Sequence, residues 1–233
     1  MVTPIYYIAE TFESIQGEGN CAGAKSLFLR FQHCNLTCSW CDTKFTWHKN
    51  KELQASTREQ VLAIINKSAS PNVIFTGGEP TLYPLDALVV EGKRFHVETN
   101  GTIIPTEPLD ITLADGSRFQ REAMDEAVIR QFNWVVSPKM SNANQTLDEK
   151  TLHYWAEKDW SIFKFIIQNS SDLTEVDELV NSFNLDKKRV YIGLEGCTLE
   201  SQLKPDLVDE LMAKGYNYSP RLHVLLWGAK RKK

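Results

Sequence analysis

Little in this chain points to a membrane, an oxidising compartment or a nucleic-acid partner. No apolar run approaches the roughly 20 residues that a membrane-spanning helix needs, so no membrane partner is expected. The start, Met1-Val-Thr-Pro-Ile5, has neither the basic stretch nor the apolar core of a signal peptide. Lys and Arg total 26 against 30 Asp and Glu, a net charge of −4. A general nucleic-acid binder would carry a basic field, and none is expected here. The basic ending Lys230-Arg-Lys-Lys233 reads as a solvated terminus. The five cysteines make no disulfide framework and suit a reducing, cytoplasmic setting. Internal repeats and low-complexity linkers are absent. The 233 residues, 42% hydrophobic and 24% charged, suffice for one α/β domain over 1–233.

Three of those cysteines lie together, in Cys34-Asn-Leu-Thr-Cys38-Ser-Trp-Cys41-Asp-Thr43. Thiols this close on a tight loop can grip one metal centre. A structural zinc site wants four protein ligands, which His33 or His48 would have to complete. A four-iron cluster is ordinarily held by four cysteines, so three leave one iron open to a ligand that is not protein. Buried small hydrophobes are the third possibility. Cys21 and Cys197 are left over and read as structural thiols.

Around that loop, apolar strands alternate with helical patterns. Residues 26–32 read as a strand feeding the cysteines. Thr57-Arg-Glu-Gln60 reads as a capping box opening a helix. Strands are expected at 73–76, 94–99, 134–136, 161–167, 189–194 and 222–226. Helices are expected at 122–132, 147–157, 173–183 and 205–214, the last stopped by Gly215. Residues 103–121, with Pro105, Pro108 and Asp115-Gly116, read as a loop insertion. Such alternation means βαβ units and a mostly parallel sheet, whose chemistry gathers at the carboxyl ends of its strands. Those ends carry the cysteine loop, Gly77-Gly78-Glu79-Pro80, Glu98-Thr-Asn100 and Ser137-Pro138-Lys139. The glycines would let a ligand approach the backbone, and Glu79 could accept from an ammonium. A simple turn is the plainer reading of Gly77-Gly78-Glu79-Pro80 taken alone.

The cysteine spacing, with Gly77-Gly78-Glu79-Pro80 one crossover downstream, resembles the radical S-adenosylmethionine (SAM) enzymes. Added to it are Ile15-Gln16-Gly17-Glu18-Gly19, Phe28-Leu-Arg30, Trp40-Cys41-Asp42-Thr43, Val136-Ser137-Pro138-Lys139 and Arg221-Leu-His223-Val-Leu-Leu-Trp-Gly228. Together these resemble the 7-carboxy-7-deazaguanine synthase family, of the 7-deazapurine (queuosine) pathway. The chain departs from that family at Glu195-Gly196-Cys197, which lacks an expected proline, and in continuing past His223.

The resemblance implies an open, partial βα barrel and a lyase that turns 6-carboxy-5,6,7,8-tetrahydropterin into 7-carboxy-7-deazaguanine and ammonia. Cys34, Cys38 and Cys41 would hold a [4Fe-4S] cluster whose open iron binds SAM. Trp40, Cys41, Asp42, Gly77, Gly78, Glu79, Glu98, Ser137, Pro138 and Lys139 would line SAM, with Asn100 beside Glu98. Ile15, Gln16, Gly17, Glu18, Arg30, Thr76 and His223 would face the substrate. Thr43 would offer its hydroxyl to Mg2+, a cation that takes few protein ligands. A radical formed from SAM would take the C6 hydrogen and later return it, regenerating SAM. An electron donor such as flavodoxin or ferredoxin, and a homodimer, are the implied partners. Two rival readings are a glycyl-radical activating enzyme, which leaves Gln16–Gly19 without a role, and a zinc-binding module.

Overall fold

The computed structural model describes residues 4–48, 53–228 and 230–233; Met1-Val-Thr, read above for a leader, lies outside them. The chain opens with β1 (Ile5–Ile15) and β2 (Lys25–Phe31), then β3 (Ala55–Thr57) and helix α1 (Arg58–Lys67). There follow β4 (Asn72–Gly77), β5 (Arg94–Thr99), the hairpin β6 (Leu109–Thr112) and β7 (Arg118–Arg121), α2 (Glu126–Ile129) and β8 (Asn133–Val136). The last part runs α3 (Glu149–Ala156), β9 (Ser161–Ile167), α4 (Ser170–Ser182), β10 (Val190–Leu194), α5 (Leu199–Gln202), α6 (Pro205–Ala213), β11 (Asn217–Tyr218) and α7 (Leu222–Trp227).

Among the described residues, nine strands form one sheet in the order β11-β10-β9-β8-β5-β4-β2-β1-β3. From β11 to β2 every neighbouring pair is parallel, whereas β1 runs antiparallel to both β2 and β3. The sheet is therefore α/β, mostly parallel and not closed, an open partial barrel. Residues 16–19, after β1, lie over one face of it. A side chain at Gly19 would meet Ile162 of β9 and Val135 of β8. Gly17 O accepts from Leu222 N at 3.0 Å and Gly19 N donates to Ser219 Oγ at 2.8 Å. This segment thus joins the start of the chain to its end.

The period of two along each strand sorts the side chains by role. Leu29 and Phe31 of β2, Val73 and Phe75 of β4, Phe95 and Val97 of β5, Trp134 and Val136 of β8, and Phe163, Phe165 and Ile167 of β9 belong to one continuous apolar core. It also takes in Val61 and Ile65 of α1, Trp155 of α3, and Leu173 and Val176 of α4. The intervening positions Arg30, Thr76, Glu98 and Lys164 turn to the opposite, polar face. Burial drives the first set inward, and the second is left to carry chemistry. At the start of α1 the capping box is formed: Gln60 N donates to Thr57 Oγ1 at 3.3 Å and Thr57 N to Gln60 Oε1 at 2.8 Å.

Two expected elements are corrected. Residues 222–226, read as a strand, form α7, stopped at Gly228 with φ of 63°. A short apolar run does not tell a strand from a buried helical turn. The helix expected over 122–132 shrinks to α2, capped when Asp125 accepts from Ala127 N at 2.8 Å; Arg121 before it ends β7. Within 103–121, the β6–β7 hairpin buries Phe119 against Tyr83 and His33.

Candidate active site

Residues from β1, β2, the cysteine loop, β4, β5, the segment after β8, β9, the segment after β10 and α7 converge on one cavity. Ile15, Gln16, Gly17, Glu18, Arg30, Thr76, Gly77, Gly78, Glu98, Ser137, Lys139 and His223 all line it, together with Cys34, Cys38, Trp40, Cys41, Asp42 and Thr43. Two expected contacts do not reach it. Pro138 faces a neighbouring crevice with Leu147 and Trp155. Glu79 is fully buried, and its carboxylate is spent on the protein: Oε1 accepts from Thr81 N, Thr81 Oγ1 and Thr99 Oγ1, and Oε2 from Asn100 N, at 2.6–3.0 Å. The Glu79 side chain, read above as an ammonium acceptor, is placed among these four protein donors and knits the ends of β4 and β5 together. Burial still raises its pKa despite those four donors.

The two glycines before it serve a second purpose. Gly77 has φ of 126°, and a Cβ there would lie 2.3 Å from Phe31 O. A Cβ on Gly78 would lie 1.8 Å from His33 O. Only glycine lets this loop press on the backbone entering the cysteines, where Gly78 N donates to Phe31 O at 3.0 Å and Glu79 N to His33 O at 2.8 Å. Gly17 is bare for a similar reason, since its Cβ would fall 2.1 Å from His223 Nδ1.

The charged wall was not legible as a motif. Lys164 Nζ lies 2.8 Å from Glu18 Oε2 and 2.7 Å from Glu98 Oε2. Arg221 donates to Glu18 Oε1 at 3.0 Å and reaches Asp42 and the Gly196 carbonyl. Gln16 Nε2 donates to Glu98 Oε1 at 2.9 Å. Burial works against the charge on Glu18, but Lys164 and Arg221 outweigh it and hold the carboxyl well below its usual range. Burial likewise opposes the Lys164 charge, and Glu18 and Glu98 push its pKa up. His223 is shifted down, chiefly by burial. Cys197, read as a structural thiol, instead lines the cavity 3.7 Å from Arg221 Nη1. Cys21 lies 3.7 Å from Asn133 Nδ2, outside the cavity wall.

The donor set fits a cluster. All three thiols border the cavity, and burial pushes Cys34 up to about 12 and raises Cys38, so a metal centre bound there would have to displace their protons. Trp40 Nε1, buried beside them, has no hydrogen-bond partner. Neither His33, which sits in an aromatic nest with Tyr7 and Phe119, nor His48 lines the cavity with the three thiols, so zinc completion through either is not favoured. Among the described residues, no three Cys, His, Asp or Glu side chains converge on a single-ion site.

An open α/β barrel with a three-cysteine loop after its first parallel strand defines a radical SAM enzyme, and the Radical SAM superfamily model matches residues 29–116. The 7-carboxy-7-deazaguanine synthase of Hyperthermus butylicus is 33% identical, over 94% of this chain and 92% of the relative. That of Pyrobaculum aerophilum is 29% identical over 99% of both. The crystal structure of QueE from Escherichia coli shares the fold, with a TM-score of 0.68 at 24% identity, over 94% of this chain and 95% of that one. The chain belongs to the 7-carboxy-7-deazaguanine synthase family. No helix among the described residues is long and apolar enough to cross a membrane.

Proposed function

We propose that the protein converts 6-carboxy-5,6,7,8-tetrahydropterin into 7-carboxy-7-deazaguanine and ammonia. The observation that carries this reading is the single cavity that joins the cysteine loop to Arg30 and to residues 15–18. Those residues have no part in the activating-enzyme alternative, yet here they form a wall of the site.

Cys34, Cys38 and Cys41 would hold the [4Fe-4S] cluster; when bound, the cluster and SAM supply electron transfer and hydrogen-atom abstraction. The chain's own residues position and shield. Arg30 presents a guanidinium for the substrate carboxylate, a pairing that is charge-assisted and bidentate. Thr43 would offer its hydroxyl to Mg2+, which would supply charge stabilisation for the substrate carboxylate. Glu18, kept ionised by Lys164 and Arg221, accepts from N–H groups on the ring edge, with Gln16 and Thr76 alongside. Glu98 and Asn100 lie at the end of β5, where a ribose would be read. Lys139, 2.8 Å from Ser137 Oγ and 5.4 Å from the Trp40 ring centroid, brings a cation beside the cluster loop for a carboxylate of SAM. The same reading takes residues 1–233 as one radical SAM domain, working in the cytoplasm as a homodimer and reduced by a flavodoxin or ferredoxin.

The test is turnover by anaerobically reconstituted protein. Product and ammonia should form with wild type and with Cys197→Ala, and neither should form with Cys34→Ala, Cys38→Ala or Cys41→Ala, which should also lose iron. Iron retained by Cys34→Ala but lost from Cys197→Ala would contradict the assignment.

A further inference from the structure

The cluster cysteines have partners that the motif does not contain. Trp47 Nε1 lies 3.3 Å from Cys41 Sγ, within reach of an N–H···S hydrogen bond. Asn100 Nδ2 lies 3.9 Å from Cys34 Sγ, at the edge of that reach, and is shared with Asn35 Oδ1 at 2.9 Å. An indole nitrogen can only donate, so the polarity of the Trp47 contact is fixed.

The backbone holds the ring there. Residues Lys44–Thr46 form a 3-10 turn, and Thr46 is fully buried, its Oγ1 donating to Thr43 O at 2.9 Å. Trp47 N donates to Lys44 O at 3.2 Å, and Thr46 O accepts from His33 N at 2.8 Å, which ties the turn to the residue before Cys34. The cysteine loop is thus closed on itself with the indole N–H aimed at its last sulfur.

We propose that Trp47 tunes the reduction potential of the cluster, an inference that rests on the cluster reading above. Reduction adds one electron from an external donor and increases the negative charge borne by the sulfurs, with no bond made or broken. A hydrogen bond to a thiolate stabilises the reduced form more than the oxidised one, so it raises the potential. Trp47 thereby makes the cluster easier to reduce by a given donor, at some cost in its driving force toward the bound cofactor. It does this through Cys41, from the wall of the same cavity.

The test is a dithionite titration of the reconstituted full-length protein, with SAM absent and the reduced cluster followed by electron paramagnetic resonance. Trp47→Phe keeps a ring and removes the donor, so its midpoint should move to a more negative potential at unchanged iron and sulfide content. An unchanged midpoint in the loaded variant overturns the proposal. Should that variant not assemble a cluster, the wild type carries the test: with 15N in the indole rings, electron–nuclear double resonance should show a nitrogen coupling to the reduced cluster that persists in Trp40→Phe. Absence of that coupling overturns the proposal equally. Failure of the wild type to take up four irons is a different outcome, and overturns the cluster reading itself.

Discussion

Glu10 and Arg30 are register partners across β1 and β2, and Arg30 Nε lies 3.3 Å from Glu10 Oε2. The Glu10 side chain is 3% exposed and also receives Arg231 from the C-terminal tail, whose guanidinium lies over the Phe45 ring. Glu10 therefore fixes the Nε edge of Arg30 while the residue borders the cavity. Arg30→Met should weaken binding of the carboxypterin by roughly 1.5–3 kcal/mol, or about one to two decades, while SAM cleavage without substrate persists. Arg30→Lys keeps the charge for Glu10 but loses the planar fork, and should fall between the two. Calorimetric titration of the reconstituted protein with substrate checks both; equal affinity in Arg30→Met removes Arg30 from the substrate site.

Thr43 Oγ1 stands 3.7 Å from Cys41 Sγ, at the edge of the cavity. Thr43→Val removes that oxygen at similar volume. Activity and its magnesium dependence should both drop with the cluster's spectrum intact. A magnesium response matching wild type would exclude Thr43 as a ligand.

His96 lies buried on β5, with Asn72 Oδ1 3.4 Å from one ring nitrogen and Asn133 Nδ2 3.1 Å from the other. Burial, and secondarily Arg94, lower its pKa from 6.5 to about 4. Between those values the unfolded chain binds a proton that the folded protein refuses. Stability contributed by neutral His96 is therefore complete above 6.5 and lost as pH falls toward 4, by roughly 3 kcal/mol. Urea unfolding across that window should show a shallower pH dependence in His96→Gln. Parallel pH profiles would show that His96 titrates alike in both states.

What was legible in the sequence was local. The strands Arg94–Thr99 and Ser161–Ile167 and the Thr57 capping box stand where pattern and cap placed them, because alternation and capping act over a few residues. β1 was missed although Tyr6, Ile8 and Glu10 alternate inward, since a βαβ frame leaves no place for an antiparallel strand at the start. The Glu18–Lys164 pair spans 146 positions and the Glu18–Arg221 pair 203, so no spacing rule reveals either. Trp47 follows Cys41 closely, but its aim depends on the turn beneath it. Glu79 shows the reverse case, a residue whose motif was recognised and whose side chain faces the core.

The central claim is reversible hydrogen transfer at C6 of a carboxylated tetrahydropterin within this one cavity. Its most direct measurement is mass spectrometry of SAM recovered after turnover of the substrate deuterated at C6. The account predicts deuterium in the recovered SAM, with product accumulating far beyond the SAM consumed. Deuterium-free SAM, with one SAM consumed for each product formed, would contradict it.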